Sequence, residues 1–201
     1  MAGLRERKKE QTRRRITAEA LRLFAERGFD GVSVNEIAEA AEVAKATFFA
    51  YFPGKEALVL QGVGEEDLAG IVARRPPGRP PLQALRASCR TFAEEAAETD
   101  WTEMVTRMRV IFDSPALSGA ANALLYRRRW ELARELVQEY GQAAAALAAA
   151  QIAATVLTLQ ETFFLHLIGG APPREAARTL ARDTELAFDL LEHGIPHGRE
   201  K

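Results

Sequence analysis

Apolar positions along this chain recur every three or four residues, and nowhere do they alternate in twos over the length of a strand. Ile16, Ala20, Leu23, Phe24 and Arg27 share one face of a first predicted helix over 10–27. Gly28 supplies its left-handed stop, and Phe29 is placed to fold back on Phe24. A second helix has an explicit start. Ser33 is its N-cap, Glu36 three residues on completes a capping box, and Val32 with Ile37 forms the flanking hydrophobic staple. Val34, Ile37, Ala38 and Ala41 are its inward face. After a short turn at 41–43, a third helix runs over 44–51 with Phe48 and Phe52 pointing inward, and Pro53 ends it.

The pattern then loosens. A fourth helix over 55–73 carries Gly62, Gly64 and Gly70, each costing about 1 kcal/mol relative to Ala. It is predicted to be marginal, or broken near 62–64. The run RRPPGRPP at 74–81 ends it as a stiff loop. Further helices are predicted over 82–98, 101–112, 115–140, 143–168 and 173–193. The expected fold is all-α. A three-helix domain over 1–54 is joined by a linking helix to a helical domain over 55–193, with a flexible tail over 194–201.

Composition adds three constraints. At 47% hydrophobic and 27% charged residues, the chain has enough apolar surface for a core. A net charge of −1 excludes a polycation, yet residues 1–15 carry seven basic side chains against two acidic ones, a net +5. Such an arm suits an anionic partner, either nucleic acid or an acidic membrane. The single cysteine, Cys89, permits no internal disulfide and reads as a small core residue, compatible with the reducing cytoplasm where the protein is expected to work. No apolar signal stretch opens the sequence. The most apolar run, 143–168, is interrupted by Gln151, Gln160, Glu161 and His166, so it reads as a packed helix rather than a membrane span.

Three short helices with a tight turn between the second and third make a helix-turn-helix. With Phe48 and Phe52 anchored, Lys45, Ala46, Phe49 and Ala50 face outward, as a helix entering a major groove requires. Ser33 and Lys55 stand at helix N-termini, where phosphate oxygens are well received. Thr47 and Tyr51 add hydroxyls, and the basic arm can follow the backbone or the adjacent minor groove. The run GVSVNEIAEAAEVAKATFFAYFPGKEAL, Gly31–Leu58, resembles the DNA-binding signature of the TetR family of regulators. Gly28, Phe29, Ser33, Ile37–Ala38, Thr47, Tyr51–Phe52 and Lys55–Glu56 fall where that family has them. The resemblance implies DNA contacts by Ser33, Lys45, Thr47, Tyr51 and Lys55, with Ala46 and Phe49 as weaker candidates. Departures are also plain. Glu42 replaces the usual turn glycine, and Ala44 replaces a capping Ser or Thr, at about 1 kcal/mol. Phe49 and Ala50 replace polar residues that the family commonly has there.

The resemblance further implies that the C-terminal helices bind a small ligand and form a homodimer on a pseudo-palindromic stretch of double-stranded DNA. Phe92, Trp101, Met104, Met108, Phe112, Trp130, Phe163 and Phe164 are apolar candidates for a pocket, with His166 as a polar contact. Each of them also fits a plain core role. The methyl-rich run Ala143–Ala150 permits close helix approach. Leu157, Phe164, Leu180, Leu186, Phe188 and Leu190 suit a dimer face. His193 and His197 have metal-pair spacing, but Gly194 and Pro196 between them deny the helix that would hold it. No metal or other cofactor is expected. No Ser/His/Asp or Cys/His set and no phosphate-cradling loop suggests an enzyme. The expected function is a repressor released from DNA by a small apolar or amphipathic effector that moves the linking helix. An activator or a ligand-independent regulator is the alternative. The pattern T-F-F-x-Y-F at 47–52 also resembles a subgroup thought to sense acyl-CoA-like ligands.

Overall fold

The structure is a computed structural model describing residues 2–63 and 67–194. These residues form helices only, ten in chain order. They are α1 (Ala2–Arg27), α2 (Val34–Ala40), α3 (Lys45–Tyr51), α4 (Lys55–Val59), α5 (Leu68–Ala73), α6 (Pro81–Ala96), α7 (Thr102–Asp113), α8 (Pro115–Tyr140), α9 (Gln142–Ile168) and α10 (Pro173–His193). The tail beyond Gly194, with His197, lies outside the described residues.

Two compact units result. The first takes the chain up to Val63 together with Trp101–Ala121. Ile16, Phe24, Ile37, Phe48, Phe52, Leu58 and Val59 are its nearly solvent-free centre, and Val110 and Ile111 of α7 belong to the same cluster. The expected boundary after residue 54 thus falls inside this unit, which keeps α4 and takes in α7. Arg107 explains part of the attachment. It is 4% exposed, and its guanidinium donates to the carbonyls of Leu58 (2.7 Å) and Val59 (3.0 Å) at the end of α4. Those carbonyls have no partner within a helix that stops at Val59.

α1 begins eight residues before the predicted start. The basic segment is therefore not a separate arm but the first turns of a helix. It lacks apolar periodicity, so the pattern is silent there, yet Arg, Lys and Glu are good helix formers. Glu10 and Arg14 pair at 2.9 Å one turn apart.

The predicted linking helix is interrupted. α4 has five residues, a turn follows with Gly62 at φ +81°, and α5 starts at Leu68. Gly64 lies outside the described residues. Gly70 sits inside α5, where its N–H is capped by Asp67 at 2.7 Å.

The second unit holds α5, α6, the rest of α8, α9 and α10. Leu85, Leu132, Leu136, Ala145, Ala149 and Phe188 are buried together. Arg86 on α6 pairs with Glu185 and Asp189 on α10. Hydrogen bonds from Arg90 and then Arg86 hold the Glu185 carboxyl down at about 2. α9 is long and apolar enough to cross a bilayer by composition, but Ala145, Ala149, Ile152, Val156, Leu159, Phe163 and Leu167 are buried along it. On α10, Leu180, Thr184 and Phe188 form the buried stripe, while Leu186 and Leu190 face outward. Leu180 and Phe188, expected on a dimer face, are therefore core. Their spacing of four-residue steps puts them on the side opposite Leu186 and Leu190.

Candidate nucleic-acid interface and second-unit cavity

α3 is short and has no side-chain cap at Ala44, so tertiary contacts hold it. Phe48 and Phe52 supply them: they are 0% and 2% exposed, with ring centroids 5.8 Å apart. Lys45, Ala46, Phe49 and Ala50 are exposed on the other side, Phe49 at 47%. Phe49 meets the Phe48 ring edge-on at 5.5 Å, which limits where it can swing. Thr47 is half-buried, and Tyr51 is half-buried against the core.

The approach to α3 is built by α2. Glu36 N–H donates to the Ser33 hydroxyl at 3.3 Å, and Ser33 N–H donates to the Glu36 carboxylate at 2.8 Å. The Ser33 hydroxyl donates to the same carboxylate at 2.8 Å, and Arg27 reaches its other oxygen at 2.7 Å. Bonds from Ser33, then Arg27, hold the Glu36 carboxyl down at about 2. α2 ends in a Schellman turn: Val43 N–H bonds to Ala38 O and Glu42 N–H to Glu39 O. Glu42 occupies its left-handed position at φ +51°.

Lys55 departs from its expected exposure. Its ammonium donates to the carbonyls of Phe29 (2.8 Å) and Val32 (2.9 Å) and lies 4.3 Å from the Phe29 ring centroid. Two of its three donors thus brace the α1–α2 loop, and one is left for a phosphate. Ser33 and Lys55 border the same shallow depression, beside Gly54. Arg13, counted in the basic segment, lies over the Phe52 ring at 5.4 Å. Lys55's partners lie 23 and 26 residues away, so no local signal identifies them.

The predicted pocket residues are divided between the two units. Met108 and Phe112 pack on the core of the first unit, to which Trp101 and Met104 also belong. α7 turns Val110 and Ile111 inward there. Trp130 is 55% exposed, with the Arg129 guanidinium 4.6 Å from its ring centroid. His166 is exposed, its Nδ1 2.8 Å from the Thr162 carbonyl oxygen one turn back. Phe163 is buried between Phe92 and Phe164, at centroid distances of 6.0 and 5.3 Å.

Of the predicted set only Phe92 borders a cavity found in the second unit. This cavity measures about 230 Å³, with walls from α5, α6, α9 and α10. Leu68, Ile71, Leu85, Val156, Leu159 and Leu180 make it mostly apolar, and Ser88, Cys89, Gln160 and Thr184 also reach it. An aromatic count could not find it, because its lining is mostly aliphatic, with Phe92 its one aromatic ring among the lining residues. Elsewhere, Asp189, Glu192 and His193 cluster within 4.8 Å, but both carboxylates are tied to Arg86.

A helix pinned by two phenylalanines, with an exposed face that carries Lys45 and a capped helix before it, defines a helix-turn-helix protein of the kind that docks on DNA. The chain belongs to the TetR family of bacterial regulatory proteins. That family's N-terminal domain matches residues 16–61, and the MftR C-terminal domain matches residues 79–196. The regulator TcmR of Streptomyces glaucescens is 35% identical over 122 residues, 57% of this chain, but the match spans only about half, 54%, of TcmR. MftR of Mycobacterium tuberculosis, named for mycofactocin biosynthesis regulation, is 26% identical over 94% of this chain and 93% of its own length. Among solved structures, NalD, the secondary repressor of the MexAB-OprM efflux pump in Pseudomonas aeruginosa, superposes with a TM-score of 0.62 at 18% identity. That superposition covers 89% of this chain and 96% of NalD, and it shows a shared fold.

Proposed function

We propose that this chain is a sequence-specific DNA-binding repressor, released from its operator when a small molecule enters the second unit. The observation that carries the reading is α3, held by Phe48 and Phe52 so that Lys45, Ala46, Phe49 and Ala50 face a groove. Lys45 is the base-reading candidate, with Phe49 and Ala46 against sugar or a thymine methyl. Ser33, Thr47 and Tyr51 meet phosphate, and Lys55 braces the loop while offering its remaining donor. The chain works as a homodimer on a pseudo-palindromic site, in the cytoplasm, as a regulator and not as an enzyme. Leu147, Leu165, Leu186 and Leu190 on α9 and α10 are exposed and supply the apolar surface that such a dimer covers.

Binding-site selection from random duplexes tests the reading. The selected duplex is expected to outcompete a scrambled one by about 10³-fold or more at matched salt. Lys45→Ala is expected to blur the selected sequence, whereas Ser33→Ala weakens binding to all sequences alike. Equal competition by selected and scrambled duplexes sinks sequence-specific regulation.

A further inference from the structure

The second-unit cavity also constrains what the effector is, an inference that rests on the regulatory reading above. Three features of its wall decide the chemistry. The first is charge: among the described lining residues there is no carboxylate, ammonium or guanidinium group. A charged ligand would lose its water and meet no counter-ion, which is expensive in an apolar enclosure. The second is size. A cavity of roughly 150 Å³ accepts benzene, and drug-sized ligands occupy about 300 Å³ or more. At about 230 Å³ this one suits two fused rings or their equivalent.

The third is Thr184. Its residue is 0% exposed, and its hydroxyl has no hydrogen-bond partner. Helical threonines ordinarily return the hydroxyl to the carbonyl four residues earlier. Thr12, Thr91, Thr106 and Thr158 do so in this chain, at 2.9–3.2 Å. Thr184 leaves its hydroxyl unpaired, and the residue is one of those that border the cavity. A buried hydroxyl left unpaired carries a desolvation penalty that a ligand removes.

We infer that the cavity binds an uncharged, largely apolar molecule of about two-ring size, oriented by one hydrogen bond to the Thr184 hydroxyl. Isothermal titration of the full chain without DNA tests this with four probes: 2-naphthol, naphthalene, 2-naphthoate and decanoyl-CoA. 2-Naphthol is expected to bind one per protomer, about tenfold tighter than naphthalene, the ratio one net buried hydrogen bond supplies. 2-Naphthoate and decanoyl-CoA are expected to bind at least about a hundredfold more weakly than 2-naphthol. Thr184→Val is expected to reduce 2-naphthol to the naphthalene level and leave naphthalene unchanged, while Thr184→Ser keeps the preference. The comparison among probes on the unaltered chain needs no variant to fold. Tighter binding of either anion, no binding of the two neutral probes, or an unchanged 2-naphthol preference in Thr184→Val overturns the inference. Regulation is read separately, by adding 2-naphthol to the DNA complex. Binding without release overturns effector control and leaves the ligand class standing.

Discussion

Glu42 is the residue whose identity sits worst with its backbone. It holds the left-handed position of the Schellman turn at φ +51°, where a Cβ costs about 1–2 kcal/mol. Its ion pair with Arg15, at 3.8 Å between exposed groups, returns little. Glu42→Gly is therefore expected to raise stability by about 0.5–1 kcal/mol after the greater freedom of unfolded glycine is subtracted. Thermal unfolding should show a midpoint a few degrees higher, and an unchanged or lower midpoint contradicts the strain. The substitution site was legible as a departure from the family turn. Ser33 and Glu36 were legible for a related reason, since all partners of a capping box lie within three residues. Lys55 and Thr184 were not. The carbonyls that engage Lys55, and the empty space beside Thr184, are created by chain segments far away in sequence.

At the scale of elements, periodicity predicted nine helices: seven match α2, α3 and α6–α10 to within a few positions, the first starts earlier as α1, and the linking helix appears as α4 and α5. What it missed follows from its basis. α1 extends through a segment with no apolar stripe, and propensity alone carries it. α7, whose apolar residues were expected to line a pocket, caps the end of α4 through Arg107. An amphipathic pattern says that a helix has an inward face but not which core receives it. Arg107→Met retains most of the apolar stem and removes the two bonds to Leu58 and Val59. It is expected to destabilise the chain by about 2–3 kcal/mol, the range for hydrogen bonds from a charged donor. A urea titration with unchanged m-value checks this, and a loss under about 0.5 kcal/mol would show that α4 is held by its apolar packing alone. Gly62 at φ +81° belongs to the turn at 60–63 that follows α4, so its glycine serves a fixed geometry rather than a soft helix.

For the whole molecule, the helical start of α1 changes how the basic charge is presented. Arg5, Arg7, Lys8 and Lys9 are exposed along it, while Arg13 lies on Phe52 and Arg14 pairs with Glu10. Replacing those four exposed residues with Gln is expected to weaken binding to selected and scrambled duplexes equally. The slope of log affinity against log salt should become shallower by about 0.9 for each phosphate that the chain no longer neutralises. A changed sequence preference with an unchanged slope would assign base reading to this segment. By itself the sequence determined the all-α class, the helix-turn-helix, its caps and its outward face, because each depends on residues within a turn or two of one another. Only the tertiary structure decided that Lys55 braces a loop, that α7 joins the first unit, and that the second unit's cavity is mostly aliphatic with Thr184 at its wall. Those outcomes depend on which distant faces meet, and periodicity carries no information about partners. The helix-turn-helix therefore stands as read, but as part of a larger unit whose fourth helix is held by an arginine some fifty residues further on.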